Sequence, residues 1–214
     1  MRTTTGALGG TWQRGDARSN RARLLASARQ KLRYDPDASL DSIARAAGVT
    51  RRTFYGHFSG RQALIATLTQ EAGEALRQAF TADHVPGAGP LEAMARMALA
   101  AWSVGDQHHM LISLGRHGAG EEAIRAALAP AREVAVATVR RGQEQGVFAD
   151  HLPAPVLARA LEALMLALAA ESAASDWADP TGEAAATALL VAAGAAPQVA
   201  ELRVRAVLGE SEGR

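Results

Sequence analysis

The chain has 214 residues, a formal net charge of +1, 48% hydrophobic residues and 21% charged residues, which are ordinary values for a soluble protein of one or two domains. It contains no cysteine, which excludes disulfides, thiol catalysis and thiolate metal sites. No uncharged apolar run reaches the ~18 residues of a membrane span, and residues 1–20 lack the apolar segment of a secretory leader. We therefore expect a cytoplasmic protein without a membrane partner.

The charge is distributed unevenly along the chain. Residues 1–61 contain 12 Lys/Arg and 4 Asp/Glu, a formal charge of +8, whereas residues 62–214 contain 11 and 18, a formal charge of −7. Such asymmetry points to one end that faces nucleic acid and a remainder with another role. A protein that compacts DNA without sequence preference would be basic throughout, so the acidic remainder argues against that alternative.

The first segments in chain order are a polar tail and a helix. Residues 1–20 are glycine-containing and predict a flexible basic arm, which either reaches DNA phosphate and an adjacent minor groove or is simply solvated. Residues 21–33 predict a helix with Leu24, Leu25, Ala28 and Leu32 on its inner side. The arginines available to the arm and to the start of this helix are Arg14, Arg18, Arg21 and Arg23.

The next stretch predicts two short helices joined by a tight turn. Ser39 is a favourable N-cap for the first helix, and Gly48 can adopt the left-handed conformation that ends it. Thr50 caps a second helix that runs to about His57. A helix, a glycine-containing turn and a second helix form the helix-turn-helix pattern, whose second helix usually enters the major groove of DNA.

Two arginines occupy an unfavourable place in this pattern. Arg51 and Arg52 stand in the first turn of the second helix, at the positive pole of its dipole, where each cation costs about 0.3–1 kcal/mol. Phosphates or guanine edges would supply the missing negative partner. Two solvated arginines on a surface turn are the alternative, but the surrounding turn pattern favours DNA.

A specific run of residues crosses this stretch: Ile43-Ala44-Arg45-Ala46-Ala47-Gly48-Val49-Thr50, Thr53-Phe54-Tyr55, His57-Phe58, Arg61, Ala63 and Leu64. With these residues, the segment 21–68 resembles the N-terminal domain of the TetR family, the tetracycline-repressor-like regulators. The sequence departs from the family pattern at Arg33, Gly56 and Gln62, and Gly56 stands inside the second helix where a longer side chain is usual. The resemblance implies a dimeric, nucleoid-associated DNA-binding regulator whose C-terminal domain binds a small ligand.

The resemblance also implies which side chains meet DNA. Arg51 or Arg52 would make a bidentate contact to guanine, and Thr53 would touch a base edge or a thymine methyl. Tyr55 and His57 would bind phosphate, with packing against the first helix as the alternative. The complete set of implied DNA-contacting residues is Ser39, Thr50, Arg51, Arg52, Thr53, Tyr55, His57 and Arg61. Phe54 and Phe58, by contrast, are predicted to lie in the core.

The remainder of the chain predicts further helices and no hairpin. Alanine is abundant, β-branched residues are few, and Pro130 is expected to kink or split a long helix. Gly105-Asp106 is expected to end another. The predicted segments are 62–82, 91–104, 107–114, 121–145, 153–173, 180–193 and 197–208. The fold class is therefore all-α, with a three-helix DNA-binding domain at 21–68 and a helical ligand-binding and dimerisation domain at 69–214.

The last two long helices, 153–173 and 180–193, are rich in small and apolar residues. Such helices from two protomers could form a four-helix interface, whereas the alternative is that they pack inside one chain. The resemblance favours the homodimer, which would read a palindrome with half-sites about 34–36 Å apart or a multiple of that spacing.

Residues able to line an adaptable apolar pocket lie in the C-terminal domain: Met94, Met97, Trp102, Met110 and Met165. Ordinary core packing is the alternative for each of them. His108, His109 and His117 are interpreted as surface or cap residues rather than metal ligands. An effector would therefore be apolar or aromatic, and the sequence predicts no cofactor and no metal.

Catalytic patterns are missing from the sequence, which has no glycine-rich phosphate loop, nucleophile elbow or His-Glu metal motif. We therefore expect a sequence-specific transcriptional regulator, not an enzyme, and most simply a repressor that a small ligand releases from a palindromic operator. The alternative is a helical small-molecule sensor or carrier without specific operator binding.

Overall fold

The structure is a computed structural model of the chain and describes residues 9–82, 84–107, 121–174 and 177–212. These residues form ten α-helices and no strand, which confirms the all-α prediction. The helices are α1 (Gly9–Tyr34), α2 (Leu40–Ala46), α3 (Arg51–His57), α4 (Arg61–Ala82), α5 (Pro90–Gln107), α6 (Glu121–Ala127), α7 (Ala129–Glu144), α8 (Ala154–Ala174), α9 (Glu183–Ala192) and α10 (Pro197–Glu212). None of the described helices is long and apolar enough to cross a bilayer.

The chain divides into two compact units, an N-terminal unit (Met1–Leu68) and a C-terminal unit (Thr69–Arg214). In the N-terminal unit, α1 packs against α2 and α2 against α3. The core of this unit is apolar, as the helical spacing predicted, and its most deeply buried side chains are Leu24, Leu32, Ile43, Phe54, Leu64 and Leu68. Phe54 and Phe58 are both buried, which confirms their assignment to the core.

The first helix is longer than predicted. It begins at Gly9 instead of residue 21, so the prediction of a flexible arm was wrong for residues 9–20. Extending an existing helix adds one hydrogen bond per residue without a new nucleation step, and no proline interrupts residues 9–20. Residues 1–8 lie outside the described residues.

In the C-terminal unit, α5 packs against α7, α8, α9 and α10. The prediction that Gly105-Asp106 ends α5 was wrong, because the helix continues to Gln107; a single glycine lowers helix stability by only about 1 kcal/mol. The helical structure breaks between α6 and α7 next to Pro130, which lies in the first turn of α7. The backbone N–H groups of a first turn have no partner within the helix, so a proline there sacrifices no helical hydrogen bond. The predicted split is thereby confirmed. The predicted helix over residues 107–114 falls almost entirely outside the described residues.

A tight turn delays the start of α9 relative to its predicted beginning at residue 180. Asp179 Oδ2 accepts a hydrogen bond from the backbone N–H of Ala185 at 2.9 Å, and Asp179 O accepts one from Trp102 Nε1 at 2.8 Å. Gly182, with φ of 77°, lies directly against the Trp102 ring, where a Cβ atom would come within 2.6 Å of Cδ1. Only glycine fits this position and conformation. Gly182 has a left-handed rather than a helical conformation, so the helix begins at the next residue, Glu183.

Candidate DNA-binding surface and internal cavity

Hydroxyl side chains fix the beginnings of α2 and α3. Ser39 Oγ accepts from the backbone N–H of Ser42 at 3.2 Å, and Thr50 Oγ1 accepts from that of Thr53 at 3.1 Å. These bonds confirm the predicted N-caps. A cap of this kind contributes about 1 kcal/mol and fixes the direction in which the chain enters the helix. The side chains of α3 are therefore presented from a defined helix start.

The turn between the two helices has the geometry that the sequence predicted. Gly48 adopts a left-handed conformation, with φ of 66°. Its N–H donates to Arg45 O at 3.1 Å, and the N–H of Val49 donates to Ala44 O at 3.0 Å. The carbonyls at the end of α2 are thus satisfied within the turn, as expected for a helix closed by a left-handed glycine.

The helix α3 has one buried and one exposed face. Phe54 is only 1% exposed and stacks edge-on with Tyr55, their ring centroids 5.5 Å apart. The opposite face presents Arg51, Arg52 and Gly56, and Tyr55 is 44% exposed. Polar side chains on the outside of a rigidly packed helix are the arrangement that reads base edges in a groove.

The two arginines of α3 have weak partners or none. Arg51, whose side chain is 69% exposed, forms a 3.4 Å ion pair with Asp41, and its guanidinium lies 5.6 Å from the Tyr55 ring centroid. The pKa of Arg51 is raised by its interaction with the Tyr55 hydroxyl and then by the Asp41 charge. Arg52 has no hydrogen bond or ion pair with any residue of the described part of the chain. An exposed pair such as Arg51–Asp41 is worth little and can be exchanged for a phosphate.

The remaining residues of the predicted DNA-contacting set differ in availability. Ser39 and Thr50 are exposed, whereas Thr53 and His57 are half-buried. Arg61 donates from Nη1 to Ala38 O at 2.7 Å and from Nη2 to Pro36 O. Two of its donors therefore hold the loop before α2, and this use of Arg61 was not foreseen from the sequence.

An apolar cavity of about 530 Å³ lies in the C-terminal unit. Met94, Met97 and Met165 line it, together with other apolar side chains of α4 to α8 and Leu189 of α9. Trp102 is buried but lies outside the lining, where its ring meets Trp177 at 5.8 Å. Met110, the fifth residue of the predicted set, lies outside the described residues. The volume suits a drug-sized ligand.

One ion pair interrupts the apolar lining of this cavity. Arg132 Nε and Nη2 donate to the two carboxylate oxygens of Glu162 at 2.6 and 2.8 Å. Their side chains are only 15% and 26% exposed, and this hydrogen bond raises the pKa of Arg132. Sequence reasoning missed the pair, although the single charge of Glu162 inside an apolar stretch was a usable signal. Thr69 and Glu171 also line the cavity, so the pair adds a charged point of contact to a lining that is mainly apolar.

The sequence of the helix-turn-helix matches a known family pattern. The pattern described as "Bacterial regulatory proteins, tetR family" matches residues 33–68. The chain is also 36% identical over 70 residues to an uncharacterized HTH-type transcriptional regulator, TtgW, of Pseudomonas putida. That match covers 32% of this chain and 52% of the relative, so the chain spans about half the length of the curated relative it matches.

The likeness in fold extends over most of the chain. A bacterial regulatory protein in the tetR family from Rhodococcus RHA1 gives a TM-score of 0.68 at 16% identity, over 83% of this chain and 98% of that one. The TetR-like transcriptional regulator LfrR from Mycobacterium smegmatis, in complex with proflavine, gives 0.62 at 23% identity, over 80% and 94%. These relatives are regulators rather than enzymes. The chain is thus similar to the tetR family of bacterial regulatory proteins in its helix-turn-helix sequence over residues 33–68, and it shares the fold of solved members of that family.

Proposed function

We propose that the protein is a homodimeric transcriptional repressor that a small apolar or aromatic ligand releases from a palindromic operator. The observation that carries the proposal is the outer face of α3, where Arg51 and Arg52 stand exposed on a helix whose start and preceding turn are fixed by hydrogen bonds. Rigid presentation of exposed cations with weak partners or none is what a major-groove reader needs. Such a repressor would act in the cytoplasm, on the nucleoid.

The proposal divides the residues of the head by role. Arg52, without a partner among the described residues, reads a guanine edge, and Arg51 exchanges Asp41 for DNA. Thr53 contacts a base at the start of α3. The phosphate contacts come from Tyr55 and from the residues Ser39, Thr50 and His57. Arg61 has its main role in holding the loop before α2.

The homodimer is supported by exposed apolar faces on the C-terminal unit. Val156 is exposed on α8, and Ala160, Ala163 and Ala167 follow on the same face at helical spacing. Val199 and Leu202 are exposed on α10. A second copy would remove these side chains from water. Much of α9 instead packs within its own unit, in line with the alternative for that helix; its buried side chains are Ala185, Ala186, Leu189 and Leu190.

The effector site is assigned to the apolar cavity. Three methionines in its lining adapt to ligands of different shape, and the Arg132–Glu162 pair offers one polar contact. LfrR, similar in fold, is in complex with proflavine, which supports an aromatic ligand here. Ligand binding releases DNA only if it favours a dimer state in which the two heads no longer match the operator.

The deciding experiment measures fluorescence anisotropy of DNA from the flanking region of the gene, with a scrambled duplex as control and a series of salt concentrations. Phosphate contacts without sequence preference weaken steeply with salt. A preference for the flanking DNA that persists as salt rises, and that proflavine or a related aromatic compound reverses, supports the repressor. Equal affinity for both duplexes across the series contradicts it.

The alternative function is a helical sensor or carrier without specific operator binding. One observation favours it: Gly56 is exposed in the last turn of α3, and no atom of the described residues lies within 4 Å of where its Cβ would be, so this position offers no side chain to a base. A protein of this kind binds the aromatic ligand with unchanged affinity in the presence or absence of any duplex. A repressor binds ligand more weakly when its operator is present, by the same factor by which ligand weakens DNA.

A further inference from the structure

A second cavity, of about 280 Å³, lies in the C-terminal unit and has a different chemical character. It shares Phe80 and Met97 with the lining of the larger cavity. Its charged and polar side chains are Arg96, Arg141, His84 and Thr138, and no described carboxylate lines it. A concave site with two guanidinium groups and no acid attracts anions.

Arg141 is the group that this cavity leaves unsatisfied. Arg141 is half-buried in the cavity lining, and its guanidinium forms no hydrogen bond or ion pair with any described residue. A guanidinium that is partly removed from water gains from a charged partner, because charge-assisted hydrogen bonds replace the hydration it has lost. Arg141 therefore offers the cavity a positive charge that an anion from outside the chain can meet.

Arg96 stands across the cavity lining in a contrasting state. Its side chain is 7% exposed, and it donates to Glu92 from Nε at 3.1 Å and from Nη2 at 2.9 Å, with a further contact to Glu210. Arg203 pairs with Glu92 at 3.4 Å, so this cluster of two arginines and two glutamates is electrically balanced. The positive charge in excess at the cavity therefore belongs to Arg141.

The rest of the lining determines that the ligand must have an apolar body. Phe80, Val85, Val134 and Ala137 are apolar, so a bare inorganic ion would leave most of the cavity without a matching surface. Arginine pairs with a carboxylate through two parallel hydrogen bonds. We propose that this cavity binds a small organic carboxylate, with the acid group on Arg141 and an apolar body against Phe80 and Val134. The two cavities share Phe80 and Met97, but this proposal rests neither on ligand binding in the larger cavity nor on DNA binding.

The experiment is isothermal titration of the full chain with benzoate, compared with its neutral isostere benzamide. Benzoate is expected to bind the wild type at least about tenfold more tightly than benzamide, since the charge-assisted bonds are absent from the amide. Arg141→Met keeps the apolar stem and removes the charge, and it should abolish this preference. Arg140→Met is the matched control, because Arg140 is the exposed neighbour on the same helix and the variant carries the same change of charge.

Three results would overturn the proposal. The first is the absence of saturable benzoate binding to the wild type up to about 10 mM. The second is benzoate affinity that Arg141→Met leaves intact but that Arg132→Met removes, which would locate the acid in the larger cavity. The third concerns Asp83, which lies outside the described residues. If the wild type does not bind benzoate but the Asp83→Asn variant does, the carboxylate of Asp83 already pairs with Arg141 in the wild type. The comparison of benzoate with benzamide on the wild type needs no variant to fold.

Discussion

Two arginines of the N-terminal unit and two of the C-terminal unit are used in opposite ways. On α3, Arg51 and Arg52 are exposed, and their only ion pair among the described residues is a 3.4 Å contact between half-exposed groups. In the C-terminal unit, Arg96 and Arg132 are largely buried, and each is held by glutamate through two hydrogen bonds. The difference follows from solvation, because water compensates an unpaired surface charge at little cost, whereas a buried one must be paired.

This contrast separates charges that serve the fold from charges that await a partner. Removing an exposed, unpaired arginine should leave stability nearly unchanged and affect only binding. Removing one partner of a buried pair should destabilise the unit that contains it, since the remaining charge is left without compensation. The exposed arginines of α3 give the first and largest expected effect.

The largest effect is expected for Arg51→Ala combined with Arg52→Ala. One bidentate guanine contact is worth about 1–3 kcal/mol, so the double variant should lose operator affinity by on the order of a hundredfold. Each lost phosphate contact should also lower the slope of log affinity against log salt by about 1. Anisotropy titrations over a salt series measure both quantities, and the thermal stability should not fall, because both cations stand at the positive pole of the helix dipole.

The matched control for this variant is Arg205→Ala. Arg205 is exposed on α10 and pairs with Glu183 at 2.7 Å and with Glu201 at 2.6 Å. Its removal changes the net charge in the same direction without touching the N-terminal unit. If Arg205→Ala lowers DNA affinity as much for each charge removed as the double variant does, only the net charge of the protein matters. The assignment of α3 as the DNA-reading helix would then be wrong.

The next effect concerns Gly73 of α4, which lies against the backbone of α6. A Cβ atom at this position would come within 2.4 Å of Ala127 O. Because a backbone atom cannot move aside as a flexible side chain can, Gly73→Ala should lower the free energy of unfolding by about 1–3 kcal/mol. Urea unfolding followed by circular dichroism measures this change. Gly105→Ala is the control, since Gly105 is also helical and also lines the larger cavity but has no atom within 4 Å of its Cβ position.

The two glycine variants test opposite consequences of the same substitution. At Gly105 the gain in helix propensity is about 1 kcal/mol, and no atom of the described residues lies close enough to the Cβ position to oppose it. Stabilisation by Gly105→Ala together with destabilisation by Gly73→Ala would establish the close approach of α4 and α6. Equal stabilisation in both would mean that the two helices are farther apart at Ala127.

The helix-turn-helix could be predicted from the sequence because its determinants are local. The caps at Ser39 and Thr50 act on N–H groups three residues away, and Gly48 acts on its own φ angle. The core positions of α1 follow from helical spacing alone. The end of α5 was predicted wrongly at Gly105 because a propensity cost of about 1 kcal/mol is smaller than the packing of a long helix against its neighbours.

The cavity and its charges could not be predicted in the same way. Arg132 and Glu162 are on different helices, and their pairing depends on how α7 packs against α8. The methionine assignments illustrate the same limit, since Met94, Met97 and Met165 line the cavity but Trp102 is held in the turn before α9. Composition indicates which side chains suit a pocket, whereas tertiary packing decides which of them reach it.

A smaller effect is expected for Gly56→Ala in the last turn of α3. Gly56 is exposed and its Cβ position is open, so alanine should raise the free energy of unfolding by about 1 kcal/mol through helix propensity. If the backbone of α3 approaches DNA closely at Gly56, operator affinity should fall while stability rises. Differential scanning calorimetry and anisotropy titration measure the two responses separately. Unchanged affinity would place Gly56 away from the groove.

The smallest effect is expected for Tyr55→Phe. The ring of Tyr55 packs edge-on against Phe54, with the centroids 5.5 Å apart, and phenylalanine preserves this contact. Only the hydroxyl is lost, so operator affinity should fall by about three- to tenfold, in keeping with 0.5–1.5 kcal/mol for one hydrogen bond to phosphate. Tyr34→Phe supplies the matched control, because Tyr34 is 81% exposed at the end of α1 and loses the same atom. Equal affinity in the two variants would assign Tyr55 to packing alone, and the phosphate contact would have to come from another residue of the α3 face.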